Sequence, residues 1–225
     1  GFRDKWIVDF MHRRLETVYN FTVQKSYDIY DETNQYKGIP KPYRNRRIIK
    51  PSLYKQGYFK FPLVHDIYGF AEMSKEADEE TLDKIETIIE YILDPNYYTL
   101  HRGYGILVNG KKGYLAMGWD AKLPQDSNEI LPALVLKRLE LMAHFKTAVN
   151  HEWFHNNFRR LENFRTDKGT YILPKESLQE KQGYWVNGKH MGLGENRRKK
   201  LALELESTFR VMKIKSILQS HNEIS

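Results

Sequence analysis

The chain contains no cysteine, which excludes disulfides and thiolate metal sites and leaves histidine and carboxylates to hold any metal. No stretch approaches the ~18 apolar residues of a membrane-spanning helix. No basic-then-apolar segment of signal-peptide form opens the chain. These absences set the expectation of a cytoplasmic protein without a membrane partner. Position 1 is Gly rather than Met, as in a processed chain or a piece of a longer one.

What is present is ordinary for a globular protein: 225 residues, 40% hydrophobic and 29% charged, enough for one large domain or two small ones with a substantial core; the expectation taken is a single helical domain over 1–225. The formal charge of +7 would attract polyanions. Its carriers cluster at Arg44-Asn45-Arg46-Arg47 with Lys50, and at Arg197-Arg198-Lys199-Lys200. Neither cluster sits in a known nucleic-acid module, so solvated surface charge is the preferred reading and a basic nucleic-acid-binding module the second alternative.

Periodicity gives mostly helices. Residues 4–22 place Ile7, Phe10, Met11, Leu15, Val18 and Phe21 on one face. Residues 27–54, with Pro40 and Pro42, read as a long loop. Pro62 is placed to start a helix running to about Glu72. Residues 77–93 form the clearest helix, with Leu82, Ile85, Ile88, Ile89 and Ile92 inward, acidic residues in the first turn and Pro95 as the stop. Asn109-Gly110 marks a hairpin within 104–115. Helices follow over 131–143 and 147–164, then one over 195–218 whose Leu201, Leu205, Phe209, Met212 and Ile217 fall close to one stripe. The fold class is mainly α, about six helices with short β-hairpins in the loops. Gly57-Tyr58-Phe59-Lys60-Phe61-Pro62 and Gly169-Thr170-Tyr171-Ile172-Leu173-Pro174 share a form, a faint internal repeat.

Phe61-Pro62-Leu63-Val64-His65-Asp66-Ile67-Tyr68-Gly69 resembles the proline-led helix start with an inward aspartate found in the α/α-toroid superfamily of terpenoid cyclases and protein prenyltransferase β-subunits. Gly192-Leu193-Gly194-Glu195-Asn196-Arg197-Arg198, with Glu206 to Lys213, is similar to the closing helix of the prenyltransferase-like bacterial proteins of that fold. The resemblance spans 54–217. It implies helix pairs around a central cavity, here an incomplete toroid that another chain or a missing N-terminal part would complete. Its chemistry does not carry over: the chain has no Asp-x-Asp-Asp run and no zinc-binding Cys.

Two constellations compete for function. Under the toroid reading, His65 and Asp66 at a helix start, His101 and Arg102 in an aromatic loop, and Trp119 and Asp120 after the hairpin line one cavity mouth. Such a mouth suits a polar or carbohydrate-like small molecule, stacked on aromatic rings; no catalytic residue is assigned and no cofactor is expected. The plainer reading makes Asp66 a first-turn helix stabiliser and His65 a capping or packing residue.

The alternative is a zinc-dependent hydrolase through His151-Glu152-x-x-His155. On one helix the two imidazoles would lie a turn apart and share a metal, with Glu152 as general base. Glu176 and Glu180 are candidate third ligands. Against this, eight histidines produce the spacing by chance at about the percent level. On a helical wheel His155 also falls on the polar shoulder, away from Phe154, Phe158 and Leu161. The cavity reading therefore leads.

Overall fold

The computed structural model describes residues 4–32, 39–55, 57–109, 113–116, 119–125, 133–178 and 201–223. These residues are mainly α, with seven α-helices and small strands among them. No helix among them is long and apolar enough to cross a membrane. Packing divides the chain into two compact units, Gly1–Lys122 and Leu123–Ser225.

In the first unit α1 (Lys5–Thr22) starts where the Asp4 carboxylate accepts the Trp6 N–H at 2.8 Å, an N-cap that satisfies one of the helix's orphan donors. A short 3₁₀ turn at Lys41–Tyr43, strand β1 (Ile48–Ile49) and a second 3₁₀ turn at Pro51–Leu53 occupy the stretch read as loop. Strands β2 (Tyr54–Lys55) and β3 (Tyr58–Phe59) pair as a two-stranded hairpin. Helix α2 (Val64–Met73) follows Pro62, as its sequence predicts, and α3 (Glu79–Leu93) is capped by Asp78. Strands β4 (Ile106–Asn109) and β5 (Gly113–Ala116) form the hairpin predicted around Asn109. β1 adds to β4 in parallel, Ile48 opposite Ile106, giving sheet order β1-β4-β5.

Helix α1 packs on α2 and α3. Leu15, Val18 and Phe21 of α1 and Ile85, Ile88, Ile89 and Ile92 of α3 are buried as periodicity predicts, with Ile67 and Phe70 of α2, whereas Ile7, Phe10, Met11 and Leu82 of the predicted faces are only half-buried.

The second unit contains α4 (Ala133–Met142), α5 (Lys146–Val149), α6 (Glu152–Glu162), a 3₁₀ turn at Lys175–Leu178 and α7 (Ala202–Glu223). Two sequence readings change here. The single helix expected over 147–164 is broken: His151 has extended backbone angles (φ −84°, ψ 145°) and acts as the N-cap of α6. Leu201, just before α7, and Leu205, Phe209 and Met212 on it are 49–67% exposed. The buried face instead carries Glu206, Ser207 and Arg210 beside Val211 and Ile214.

Neighbouring groups meet part of that polar face. Ser207 Oγ and Thr208 Oγ1 accept the N–H groups of Leu173 and Tyr171 at 3.0 and 2.9 Å, and Arg210 pairs with Glu140 at 3.3 Å. Burial pushes the Glu140 carboxyl up, but Lys137, Lys213 and Arg210 outweigh it and leave it below its ordinary value. The faint repeat keeps a backbone echo: Gly57 and Gly169 both hold positive φ, 86° and 80°, a conformation glycine adopts without steric cost.

Candidate functional site

The start of α2 organises the candidate site in the first unit. Leu63 is the extended N-cap, and Asp66, three residues on, accepts its N–H through Oδ2 at 2.7 Å. The same carboxylate takes both prongs of the Arg14 fork, Nε on Oδ1 at 2.6 Å and Nη2 on Oδ2 at 2.8 Å. Arg14 also donates to the Phe61 carbonyl at 3.0 Å and to that of Phe59. Both side chains are buried. Asp66 therefore fastens α1 to the start of α2, and its oxygens are occupied by protein donors rather than offered to a ligand.

One residue earlier the chemistry faces out. His65 is exposed, and its ring meets Trp119 edge to face, with centroids 4.9 Å apart at 75°. Trp119 is 46% exposed, yet its backbone is fixed: its carbonyl accepts the Val64 N–H at 2.9 Å, and Asp120 bridges to Leu63 in antiparallel fashion. Partial burial lowers the His65 pKa, opposed by the Asp66 charge, which favours a neutral imidazole at pH 7.

Asp120 and the loop from His101 complete the arrangement. Asp120 Oδ2 accepts the Gly103 N–H and Oδ1 the Lys122 N–H, the latter at 3.0 Å. That clamp holds a run of positive φ: Gly103 at 70°, Tyr104 at 54° and Gly105 at 153°. A tyrosine in the left-handed region is strained, and here the surroundings over-determine it. Tyr104 is fully buried, its hydroxyl donates to the Pro62 carbonyl and it shares a hydrogen bond with Tyr97. Tyr97 Oη in turn accepts the Ala121 N–H at 3.1 Å. Burial raises both phenols well above their ordinary value, so they act as neutral hydrogen-bonding groups.

Gly105 could carry no side chain in this backbone, because a Cβ would fall 2.2 Å from the Arg47 carbonyl oxygen. His101 and Arg102 are exposed at the loop tip. The His101 N–H donates to Tyr30 Oη at 2.7 Å, and the Arg47 guanidinium lies 3.8 Å from the centre of the Tyr30 ring. Lys122 turns its amine onto the Tyr98 and Leu100 carbonyls; burial lowers its pKa, opposed by Asp120 and assisted by Arg102.

Of the six residues inferred from sequence, His65 and Trp119 touch, and Asp120 ties the loop carrying His101 and Arg102 to its own segment with Trp119. Asp66 and Asp120 serve as positioning residues. Sequence reading missed Arg14, Tyr30, Tyr97 and Tyr104. Only the Gly103-Tyr104-Gly105 spacing hinted at the last.

The His151 constellation has a different geometry from the one its spacing suggests. His151 precedes α6, and its Nδ1 accepts the Trp153 N–H at 3.1 Å. His155 is exposed, and Glu152 Oε1 accepts from Asn156 Nδ2 at 3.2 Å. Glu176 is exposed in the 3₁₀ turn, and Glu180 lies outside the described residues. Among the described residues no three His, Asp or Glu side chains are grouped to hold a metal ion.

In the first basic cluster Arg46 lies 5.6 Å from the Tyr43 ring centre, Arg47 pairs with Glu32 and Lys50 with Asp28. The second, Arg197 to Lys200, lies outside the described residues. Comparison with known protein families, with curated proteins and with solved structures found no match for this chain.

Proposed function

We propose that the first unit is a binding domain for a flat, polar ligand of carbohydrate type, taken on a ledge made by Trp119 and His65. The observation that carries this reading is the half-exposed Trp119 ring on a backbone held at two points by the start of α2. A rigid aromatic face loses little entropy on binding and stacks on the apolar face of a sugar ring. The His65 ring and the loop with His101 and Arg102, which the Asp120 clamp positions, supply polar partners around it. Both carboxylates near the ledge are occupied by protein donors, which favours binding over acid–base chemistry.

The toroid belongs to the same proposal. The pairing of α1 with α2 and α3, and of α4 with α6 and α7, is helix-on-helix packing of the kind such a fold is built from. A second chain would complete it.

The reading is tested by thermal unfolding of wild type and Trp119→Ala with a panel of cello-, malto-, xylo- and chito-oligosaccharides. Wild type gains stability with at least one sugar, and Trp119→Ala loses that gain while keeping its unliganded Tm. Absence of any sugar-dependent gain in wild type overturns the reading.

A second reading, polyanion binding, draws on the Arg46–Tyr43 and Arg47–Tyr30 stacks in one basic stretch. It predicts retention on single-stranded nucleic acid that falls steeply with salt and is weakened by Arg46→Ala.

A further inference from the structure

An open groove of about 620 Å³ lies in the first unit, away from the ledge, between the N-terminal half of α1, the C-terminal half of α2 and the start of α3. Its floor is apolar and includes Ile7, Met11, Met73 and Ala77. Met11 Cε reaches over Gly69 at its base, 2.1 Å from where a Cβ would stand. Two methionines in one floor give a surface that can reshape around a guest, because thioether chains are unbranched and polarisable. The rim carries Glu72, Glu76 and Asp78, with Lys75 paired to Glu72; hydrogen bonding with Thr81, whose N–H Asp78 accepts at 2.9 Å, lowers the Asp78 pKa, with a smaller pull from His12. Glu79 and Glu80 add carboxylates in the first turn of α3, Glu80 paired with Lys84 at 2.8 Å.

This local charge is opposite to that of the whole chain, which is +7. Non-specific electrostatics would draw the protein to polyanions, whereas the groove presents apolar floor and carboxylate rim together. We infer that this groove docks a basic amphipathic helix of a partner protein, its apolar side chains on Met11, Met73 and Ile7 and its lysines or arginines on the acidic rim. Helix-in-groove recognition needs two or three apolar anchors at i, i+4 and i+7, a span of about 10 Å, with charge at the edge to fix the register. Charge complementarity selects the basic helix over an acidic one.

The test uses the full chain and two synthetic 15-residue peptides with the same helical leucine pattern, one with lysine and one with glutamate at every polar position. Binding is followed by fluorescence anisotropy, and occupancy of the groove by ¹³C-methyl signals of the methionines. The expected result is saturable binding of the leucine–lysine peptide, weakening with added salt, with shifts at Met11 and Met73. The leucine–glutamate peptide does not bind there. Glu76→Lys, a surface change, lowers affinity for the lysine peptide on the order of tenfold, as reversing one or two rim pairs would. Trp119→Ala, on the ledge, leaves it unchanged, so this inference and the sugar reading fail separately. The inference is overturned if the lysine peptide does not bind, if the glutamate peptide binds equally well, or if Glu76→Lys binds like wild type.

Discussion

At the start of α2, Asp66 turns inward to a buried, two-pronged pair with Arg14, while His65, one residue earlier, turns outward to Trp119. The two side chains share a helical turn and differ in everything that decides use. The inward one has every strong interaction taken by protein donors, so it holds the fold. The outward one presents a ring edge beside a half-exposed indole, so it is free to meet a ligand. Proximity in sequence and to a candidate site is thus a poor guide to function, and the hydrogen-bond partners of each group are a better one.

The sharpest way to break this comparison is to unpair the inward group. Arg14→Met leaves Asp66 buried without its cation and is expected to cost about 3–5 kcal/mol, read as a lower urea midpoint. The double variant Arg14→Met with Asp66→Leu should recover part of that loss, because no unpaired charge remains. If Arg14→Met were as stable as wild type, Asp66 would not be the structural anchor described.

A smaller effect is expected from Gly105→Ala, which puts a Cβ against the Arg47 carbonyl in a backbone region L-residues avoid. We expect a loss of about 2 kcal/mol by thermal unfolding. The ledge should also loosen, because the Asp120 clamp holds the same loop. A wild-type melting curve would mean the loop relaxes without cost.

In the second unit the inverted faces of α7 give a paired test. Val211→Ala, on the buried side, should cost about 2 kcal/mol, and Leu205→Lys, on the exposed side, no more than about 0.5 kcal/mol. Equal effects would contradict the orientation of that helix.

The smallest effect concerns protonation. With its folded pKa lowered by burial, His65 binds fewer protons than in the unfolded chain, so its contribution to stability falls as pH drops below the unfolded value of about 6.5. An NMR titration should place the His65 midpoint below that value, and Trp119→Ala should move it upward as water reaches the ring.

Much of this fold is legible in the sequence where one strong local signal decides. Pro62 stands just before the cap of α2, Asp78 with the isoleucine face defines α3, and the turn signal at Asn109 falls at the end of β4, which pairs with β5. What escaped depends on partners distant in the chain. The Arg14–Asp66 pair joins residues 52 apart, and β1 is a two-residue strand whose partner β4 comes 58 positions later, from Ile48 to Ile106. The polar face of α7 packs inward because the amides of Tyr171 and Leu173 and the Glu140 carboxylate meet it. Hydrophobic periodicity cannot reveal those acceptors and donors. The break before α6 rests on a histidine acting as cap through its own ring, which composition does not announce.

The candidate site was legible to the same degree. His65 and Trp119 were both picked out, and the partners that occupy Asp66 were not.

The central claim, that Trp119 and His65 form a binding ledge separate from the structural anchor beneath, is met most directly by one titration. Wild type and Trp119→Ala are each titrated with the oligosaccharide that most raises the wild-type Tm, while ¹H–¹⁵N spectra are recorded. The account predicts saturable shifts at the Trp119 indole N–H and at His65 in wild type, with binding lost in a Trp119→Ala protein whose spectrum is otherwise folded. Undiminished binding by Trp119→Ala, or shifts confined to residues remote from His65 and Trp119, would contradict it.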